Sequence, residues 1–370
     1  MKILATHVPA GSGHQRAAEA VVAAIQKLNP SIETHLVDAL EHSDPWYRWA
    51  FTTGYLDLIQ RAPFLWGVMY HLTDLKPFGH PAQWLHRLSN NLHGSRLESF
   101  FIGSRPDVIL GTHFFPMEVA GTLKAAGRIS SKLVTVITDY LPHTLWIAPG
   151  IDIYVVGSPQ ARQELISRGV QKERIQILGI PVNPKFTQPI DRSFRARQLG
   201  LDPEQFTILI GSGGAGTGPV EKLIHLLGKM EGPIQLLAVA GKNGSLYRNL
   251  ENLRPHFPHL MKVFGFIETM DELMGISDLI ISKPGGLTCA EALIKGLPMI
   301  LIEPIPGQEG RNAHVLEEMG VAVLARQLEQ VPKRVQEFRE HPNRLHEMSR
   351  KAHEAGRPDA AENIAKLAIQ

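Results

Sequence analysis

Residues 281–312 read ISKPGGLTCAEALIKGLPMILIEPIPGQEGRN, a set of side chains suited to holding a sugar nucleotide without a metal. The apolar run 278–282 has the character of a parallel strand, and Lys283, Pro284, Gly285 and Gly286 stop it. Lacking side chains, Gly285 and Gly286 let their amides approach an anion, and a helix expected from Thr288 turns its positive end to the same spot. A phosphate fits that environment. Glu291, in the first turns of this helix, can reach over the glycines and accept two hydrogen bonds from a vicinal diol such as ribose; it can equally serve the helix dipole alone. Beyond the next apolar run, 298–302, Gln308, Glu309 and Asn312 mix donors and acceptors as hexose hydroxyls require, a mixture that a solvated turn also shows.

A second glycine cluster, IGSGGAGTG at 210–218, contains G-x-G-x-x-G between an expected strand and an expected helix. A dinucleotide site would need an acid at the tip of the following strand, about 20 residues on, to hold a ribose. The run 234–240 leads instead into Gly241, Lys242, Asn243 and Gly244, which weakens the NAD reading. No two aspartates stand at D-x-D spacing and no Cys/His cluster has zinc spacing, so no metal or other cofactor is expected. A diphosphate leaving group would then rely on loop amides, helix N-termini and Lys283, unless Lys283 is an ordinary surface lysine beside a turn.

The elements that must position these groups alternate strand, turn, helix along the chain. Strands are expected at 2–6, 34–38, 108–111, 132–138 and 153–156, then at 207–210, 234–240, 262–264, 279–282 and 299–302, with amphipathic helices between them. This pattern calls for parallel sheets covered on both faces, with ligands at the carboxyl ends of the strands. A chain of 370 residues with 44% hydrophobic content suffices for two domains. The Pro-rich stretch 179–189 is the expected hinge, because Pro181, Pro184 and Pro189 resist helix and remove backbone donors. The formal charge of +2 is too small to argue for nucleic acid and is compatible with an anionic membrane surface. The lone Cys289 cannot form an internal disulfide, and MKILATHVPAG lacks a secretory pattern, so a cytoplasmic setting is expected.

The motifs KPGGLTCAEAL, GLPMIL and PIPGQE resemble the donor half of family 28 glycosyltransferases, in the branch of monogalactosyldiacylglycerol synthases and processive diacylglycerol glucosyltransferases. GSGHQRAAEA at 11–20 resembles the opening signature of that branch. PDVILGTHFFP at 106–116, VITDY at 136–140 and GIPVNPKF at 179–186 keep its order and rough spacing. The resemblance implies an α/β chain of the GT-B type, with two Rossmann-like parallel-sheet domains facing a central cleft. An N-terminal acceptor and membrane-binding domain would span 1–183, joined by a returning helix at 359–370, and a UDP-sugar donor domain would span 184–358. It further implies inverting transfer of a hexose from UDP-Glc or UDP-Gal to 1,2-diacylglycerol, independent of metal, by a peripheral or monotopic protein on the cytoplasmic face of the cell membrane.

Carried onto this sequence, the resemblance marks Ser212, Gly213 and Gly214 as diphosphate contacts and Phe266 as the residue beside uracil; a core aromatic is the alternative for Phe266. Lys283, Gly285, Gly286, Thr288, Glu291, Gln308, Glu309 and Asn312 complete the expected donor set. Inversion needs a base for the acceptor hydroxyl. His14 is the first candidate, between Gly13 and an Ala-rich helix expected near Arg16, where the helix dipole would keep the ring neutral; capping the helix is its other role. Asp139 follows a strand at the same edge, so it can orient His14 or act as base itself. His113, after another strand, is expected to line the acceptor site or to be a buried structural histidine.

Four of the five tryptophans, Trp46, Trp49, Trp66 and Trp84, fall within 46–84, interleaved with Tyr47, Phe51, Tyr55, Phe64, Tyr70 and Phe78. Arg48, Asp57, Arg61 and Pro63 interrupt the run, so it is no membrane span, which needs about 20 mostly apolar residues. It is expected to lie in a bilayer interface, with Arg48, Arg61, Lys76 and Arg87 meeting anionic lipid; helical core under the first sheet is the alternative. The rival functions on this scaffold are a peptidoglycan-type lipid glycosyltransferase, a sugar-nucleotide epimerase and a sugar-nucleotide sensor without catalysis.

Overall fold

A computed structural model describes residues 1–9, 12–54, 57–58, 61–74, 95–214, 216 and 218–370, with Phe51 and Pro63 described by their backbone alone. Tyr55, Lys76, Phe78, Trp84 and Arg87 of the aromatic segment therefore lie outside the described residues. The chain forms two compact units, one of Met1–Asn183, Ile305–Arg311 and Asp359–Gln370, the other of Pro184–Pro304 and Asn312–Pro358.

In the first unit, β1 (Lys2–His7), β2 (Glu33–Asp38), β3 (Val108–Gly111), β4 (Lys132–Val136), β5 (Ile153–Val156) and β6 (Ile175–Ile177) form one parallel sheet in the order β2-β1-β3-β4-β5-β6. Parallel strands need crossovers, and helices on both faces supply them, which is why β3 reads as an unbroken buried run. The order reverses between β1 and β3, where the loops after both strands leave the same edge.

The second unit repeats the plan with β7 (Thr207–Gly211), β8 (Gln235–Val239), β9 (Leu260–Phe264), β10 (Leu279–Ser282), β11 (Met299–Ile302) and β12 (Ala322–Ala325), in the order β12-β11-β10-β7-β8-β9. All neighbours are parallel, and the reversal falls between β7 and β10, where Ser282 stands opposite Gly211. Every expected strand is present. Two further strands, β6 and β12, were not anticipated: each lies at a sheet edge, is three or four residues long and has half-exposed positions, so neither shows an apolar run.

The terminal helix Ala360–Ile369 belongs to the first unit. Its Ala361, Ile364, Ala365 and Ala368 are buried with Ala20, Val21, Ala24 and Ile25 of helix Gly13–Leu28. Alanine on both surfaces lets the helix backbones approach closely, and Lys132 Nζ donates to the Leu367 carbonyl at 2.6 Å from β4 below. The second unit has its own core, from Ile208 and Leu236 in the sheet to Val335 and Phe338 on helix Val331–Glu340.

Ile364 is completely buried in this helix contact. Ile364→Ala should destabilise the first unit by about 2–5 kcal/mol through lost burial and a residual cavity. Denaturant titration followed by circular dichroism would read this as a lower midpoint with an unchanged slope; a shift under about 0.5 kcal/mol would show that the helix adds nothing to the fold.

Candidate functional site

At the first reversal point, the loop after β1 delivers His14 and the loop after β3 delivers Thr112. Helix Gly13–Leu28 begins earlier than expected, so His14 is its second residue. His14 Nδ1 lies 2.6 Å from the Thr112 carbonyl oxygen, and Thr112 Oγ1 donates back to the His14 carbonyl at 2.8 Å. A carbonyl only accepts, so Nδ1 carries the proton and the lone pair sits on Nε2. Thr138 Oγ1 is a second neighbour of Nδ1, at 3.1 Å.

Burial pushes the His14 pKa below its ordinary value; the charge of Asp139 and the Thr112 carbonyl push it up by less, and His7 lowers it further. The ring is thus neutral at pH 7 for a reason other than the helix dipole: loss of water outweighs every other influence.

Asp139 follows β4 and is 4% exposed. Trp146 Nε1 donates to its Oδ2 at 3.1 Å and Gln308 Nε2 to its Oδ1 at 2.6 Å. Thr112 bonds the His14 ring directly, while Asp139 bonds Trp146 and Gln308 and acts on His14 by its charge. His113 is also 4% exposed; its Nδ1 accepts from the Phe115 amide at 3.2 Å, capping helix Phe114–Ala125, and its ring meets His14 edge to face at 4.8 Å. The cap gives the buried ring a structural role, and the same ring borders His14.

In the second unit the reversal point is lined by the two glycine loops. Gly285 donates its amide to the Lys283 carbonyl at 2.9 Å. Helix Gly286–Ile294 starts two residues before Thr288, and the amides of Gly286, Leu287 and Thr288 emerge from its first turn with neither a side-chain cap nor an acid there. Lys283 is half-buried, and its Cε lies 3.3 Å from where a Cβ at Gly218 would stand, so the ammonium leans on the other glycine loop. Among the described residues no carboxylate forms an ion pair with it.

That loop is held from the β8 side. Asn243 donates to the Gly216 carbonyl at 2.9 Å, and the Lys242 amide donates to Gly214 at 3.2 Å. Gly216 has φ +68°, and a Cβ there would fall 2.2 Å from the Ala240 carbonyl, so no other residue fits without shifting the loop. Ser212 is 3% exposed and its hydroxyl donates to the Val239 carbonyl at 2.5 Å; Gly213 beside it faces open space.

Three other residues of the expected donor set have partners within the chain. Asn312 is fully buried and donates to the Pro284 carbonyl at 3.1 Å, supporting the turn from behind. Glu309 accepts the Ile305 amide at 2.8 Å. Gln308, as above, is bonded to Asp139. Glu291 is 4% exposed on the second turn of its helix. Phe266, in contrast, is 48% exposed with Lys242 Nζ 5.3 Å from its ring centre, which excludes the core alternative.

The aromatic segment has two faces. On helix Pro45–Trp49, Tyr47 is buried while Trp46 and Trp49 are more than half exposed. On helix Pro63–Asp74, Phe64, Leu65, Val68, Met69 and Leu72 share one exposed face, with Gly67 and Tyr70 on the buried one and Trp66 half-buried. The core alternative therefore holds for Tyr47 and Tyr70 and fails for Trp46 and Trp49. No described helix is long and apolar enough to cross a membrane, and no group of three or more metal-ligating side chains occurs among the described residues.

Sequence reasoning missed Thr112, Trp146 and the pairing of Asp74 with Arg311. Thr112 acts through its backbone, which no motif of side chains reveals. Trp146 is the one tryptophan outside the aromatic cluster, and Arg311 lies one turn after Gln308 on helix Gln308–Glu318.

Residues 14–182 match the monogalactosyldiacylglycerol (MGDG) synthase family, and 207–364 match the glycosyltransferase family 28 C-terminal domain. The processive diacylglycerol beta-glucosyltransferase of Bacillus pumilus is 32% identical over 68% of this chain and 66% of its own length, and that of Bacillus cereus (strain AH187) is 32% identical over 74% and 70%. The chain thus spans about two thirds of the curated relatives it matches. Among solved structures, Acinetobacter baumannii MurG superposes with a TM-score of 0.63 at 16% identity over 100% of this chain and 99% of its own. WaaG, a glycosyltransferase involved in lipopolysaccharide biosynthesis, gives 0.57 at 13% over 100% and 99%. These superpositions establish the GT-B fold, and the sequence matches establish that this chain belongs to the glycosyltransferase family of MGDG synthases and processive diacylglycerol glucosyltransferases.

Proposed function

We propose that the protein is an inverting hexosyltransferase that moves glucose or galactose from its UDP derivative to the 3-hydroxyl of 1,2-diacylglycerol, giving a β-linked glycolipid. The observation that carries this reading is the tautomer at His14: with Nδ1–H committed to Thr112, the Nε2 lone pair of a neutral ring is available to take the acceptor proton. As the acceptor oxygen bonds to the anomeric carbon, the bond from that carbon to the diphosphate breaks. The hydroxyl proton passes to His14 Nε2, and UDP departs. Asp139 favours the imidazolium so formed through its negative charge.

Charge developing on the diphosphate falls to groups of the second unit: Lys283, the amides of Gly286, Leu287 and Thr288, and the loop at Gly213 and Gly214. Phe266 and Lys242 suit the uracil ring, and Glu291 the ribose diol. No metal is invoked, since a lysine and helix amides can supply the positive potential. The exposed apolar face of helix Pro63–Asp74, with Trp46 and Trp49, is the surface we assign to a bilayer, where a peripheral protein would meet its lipid.

The test is incubation of the purified protein with dioleoylglycerol vesicles and radiolabelled UDP-Glc, UDP-Gal or UDP-GlcNAc. A labelled glycolipid from one of the first two is expected; UDP binding with no lipid product would make the protein a sensor. Lys283→Ala should lower kcat about 100-fold, the usual cost of one well-placed donor to a developing anion.

The pH dependence has a defined sign. Because the His14 pKa is lowered, the acidic limb of kcat/KM should lie below the ordinary histidine value of 6.5. Asp139→Asn removes an influence that raises it, so the limb should move lower still while kcat falls. A limb that moves upward in Asp139→Asn would contradict this account.

For the membrane surface, Phe64→Glu should reduce sedimentation with vesicles containing phosphatidylglycerol and leave UDP affinity unchanged. Arg48 and Arg61 should make wild-type binding stronger on these than on neutral vesicles.

A further inference from the structure

Of the loop expected to touch the hexose, Ile305–Arg311 belongs to the first unit, and the side chains of Gln308, Glu309 and Arg311 are engaged there. Ile305–Arg311 lies against helix Pro63–Asp74: a Cβ at Gly67 would come within 2.7 Å of Pro306 Cβ, and Gly307, at φ +95°, packs against the Tyr70 ring. Arg311 closes the contact by donating to Asp74 Oδ2 at 2.5 Å and to Glu164 Oε1 at 3.3 Å. Asp74 is in turn gripped by both terminal nitrogens of Arg168, at 2.8 and 2.9 Å, and accepts the Thr144 amide at 2.9 Å. Within the loop, Glu309 fixes the Ile305 amide. The outcome of this anchoring is one side chain placed on Asp139: Gln308 Nε2 stands 2.6 Å from Oδ1, opposite the 3.1 Å bond from Trp146 to Oδ2.

We propose that Gln308 is a positioning residue for Asp139, and that the Asp74–Arg311 pair is its anchor. Each oxygen of Asp139 is then held by one donor, which fixes the distance from the carboxylate to the His14 ring, and the glutamine acts on the transfer through that carboxylate instead of through the sugar. This role rests on the reading of Asp139 as the charge that favours the His14 imidazolium.

The role separates from a hexose contact by kinetics. Gln308→Ala should lower kcat about 10-fold while the KM for the UDP-hexose stays within about twofold, because removing an interaction made only in the transition state lowers kcat and kcat/KM together. Gln308→Glu adds a carboxyl group beside Asp139. At that separation the two carboxyls share a proton, which takes charge from Asp139, so the acidic limb of kcat/KM should move lower, as in Asp139→Asn. Arg311→Lys keeps one positive charge but cannot span Asp74 and Glu164 at once, and should reproduce part of the kcat loss with the same unchanged KM.

A raised UDP-hexose KM with an unmoved pH profile would identify Gln308 as a sugar contact and overturn the proposal, as would wild-type kinetics in all three variants. Asp139→Asn tells this failure from that of the underlying reading. If Asp139→Asn is impaired while the Gln308 variants are not, the positioning role alone falls; if Asp139→Asn behaves as wild type, both fall. Melting temperature and UDP affinity, measured on every variant, distinguish a lost position from a lost fold.

Discussion

The hydrogen bond from His14 Nδ1–H to the Thr112 carbonyl is the constraint on which the chemistry of the first unit depends. It joins the ends of β1 and β3, the two strands at which the sheet order reverses, and so exists only because the parallel sheet brings the two loops together. A backbone carbonyl cannot change its hydrogen-bonding role, and the tautomer is therefore fixed by the fold. The return bond from Thr112 Oγ1 to the His14 carbonyl ties the first turn of the helix to the same strand end. Burial then keeps the ring neutral, and Asp139 limits how far its basicity falls. The two influences on the ring oppose each other, burial lowering its pKa and the charge of Asp139 raising it.

The second unit uses its reversal point differently. Between β7 and β10 it gathers backbone amides and one lysine, and nearly every polar side chain nearby serves the backbone. Asn312 bonds Pro284, Ser212 bonds Val239, and Asn243 bonds Gly216. Buried amides and hydroxyls that are satisfied in this manner hold two glycine loops in shapes the glycines alone would not keep, since glycine loses more conformational freedom on ordering than any other residue. Space is left around Gly213, and the first turn of helix Gly286–Ile294 carries no side-chain cap.

The architecture was legible because parallel strands buried on both faces must be written as apolar runs, so ten of the twelve strands could be located and the two half-exposed edge strands could not. The site was legible by location and less so by role. Residues after strands, such as His14, Asp139, Lys283 and Gly286, do stand at the carboxyl ends of the sheets. What an amide side chain bonds depends on which neighbours the fold supplies, and a sequence motif is silent on that. Gln308, Glu309 and Asn312 lie within five residues yet bond Asp139, Ile305 and Pro284 respectively. Their helix, Gln308–Glu318, points successive residues about 100° apart, so adjacent polar side chains meet different surroundings.

Helix Pro63–Asp74 shows how one element can hold a polar site and an apolar surface together. Its exposed face is built from Phe64, Leu65, Val68, Met69 and Leu72, a composition that costs free energy in water unless something covers it. Its buried face offers the least bulk available, Gly67, followed by the flat ring of Tyr70, and these let a loop backbone approach where larger residues would hold it off. Asp74 ends the helix with two arginines and a backbone amide on its carboxylate. A charge so enclosed cannot lose one arginine without leaving the rest of the cluster unbalanced, which makes the ion pairs a register pin more than a source of stability. The apolar face can therefore be large without the helix sliding over the unit, because its inner face and its last residue determine where it sits.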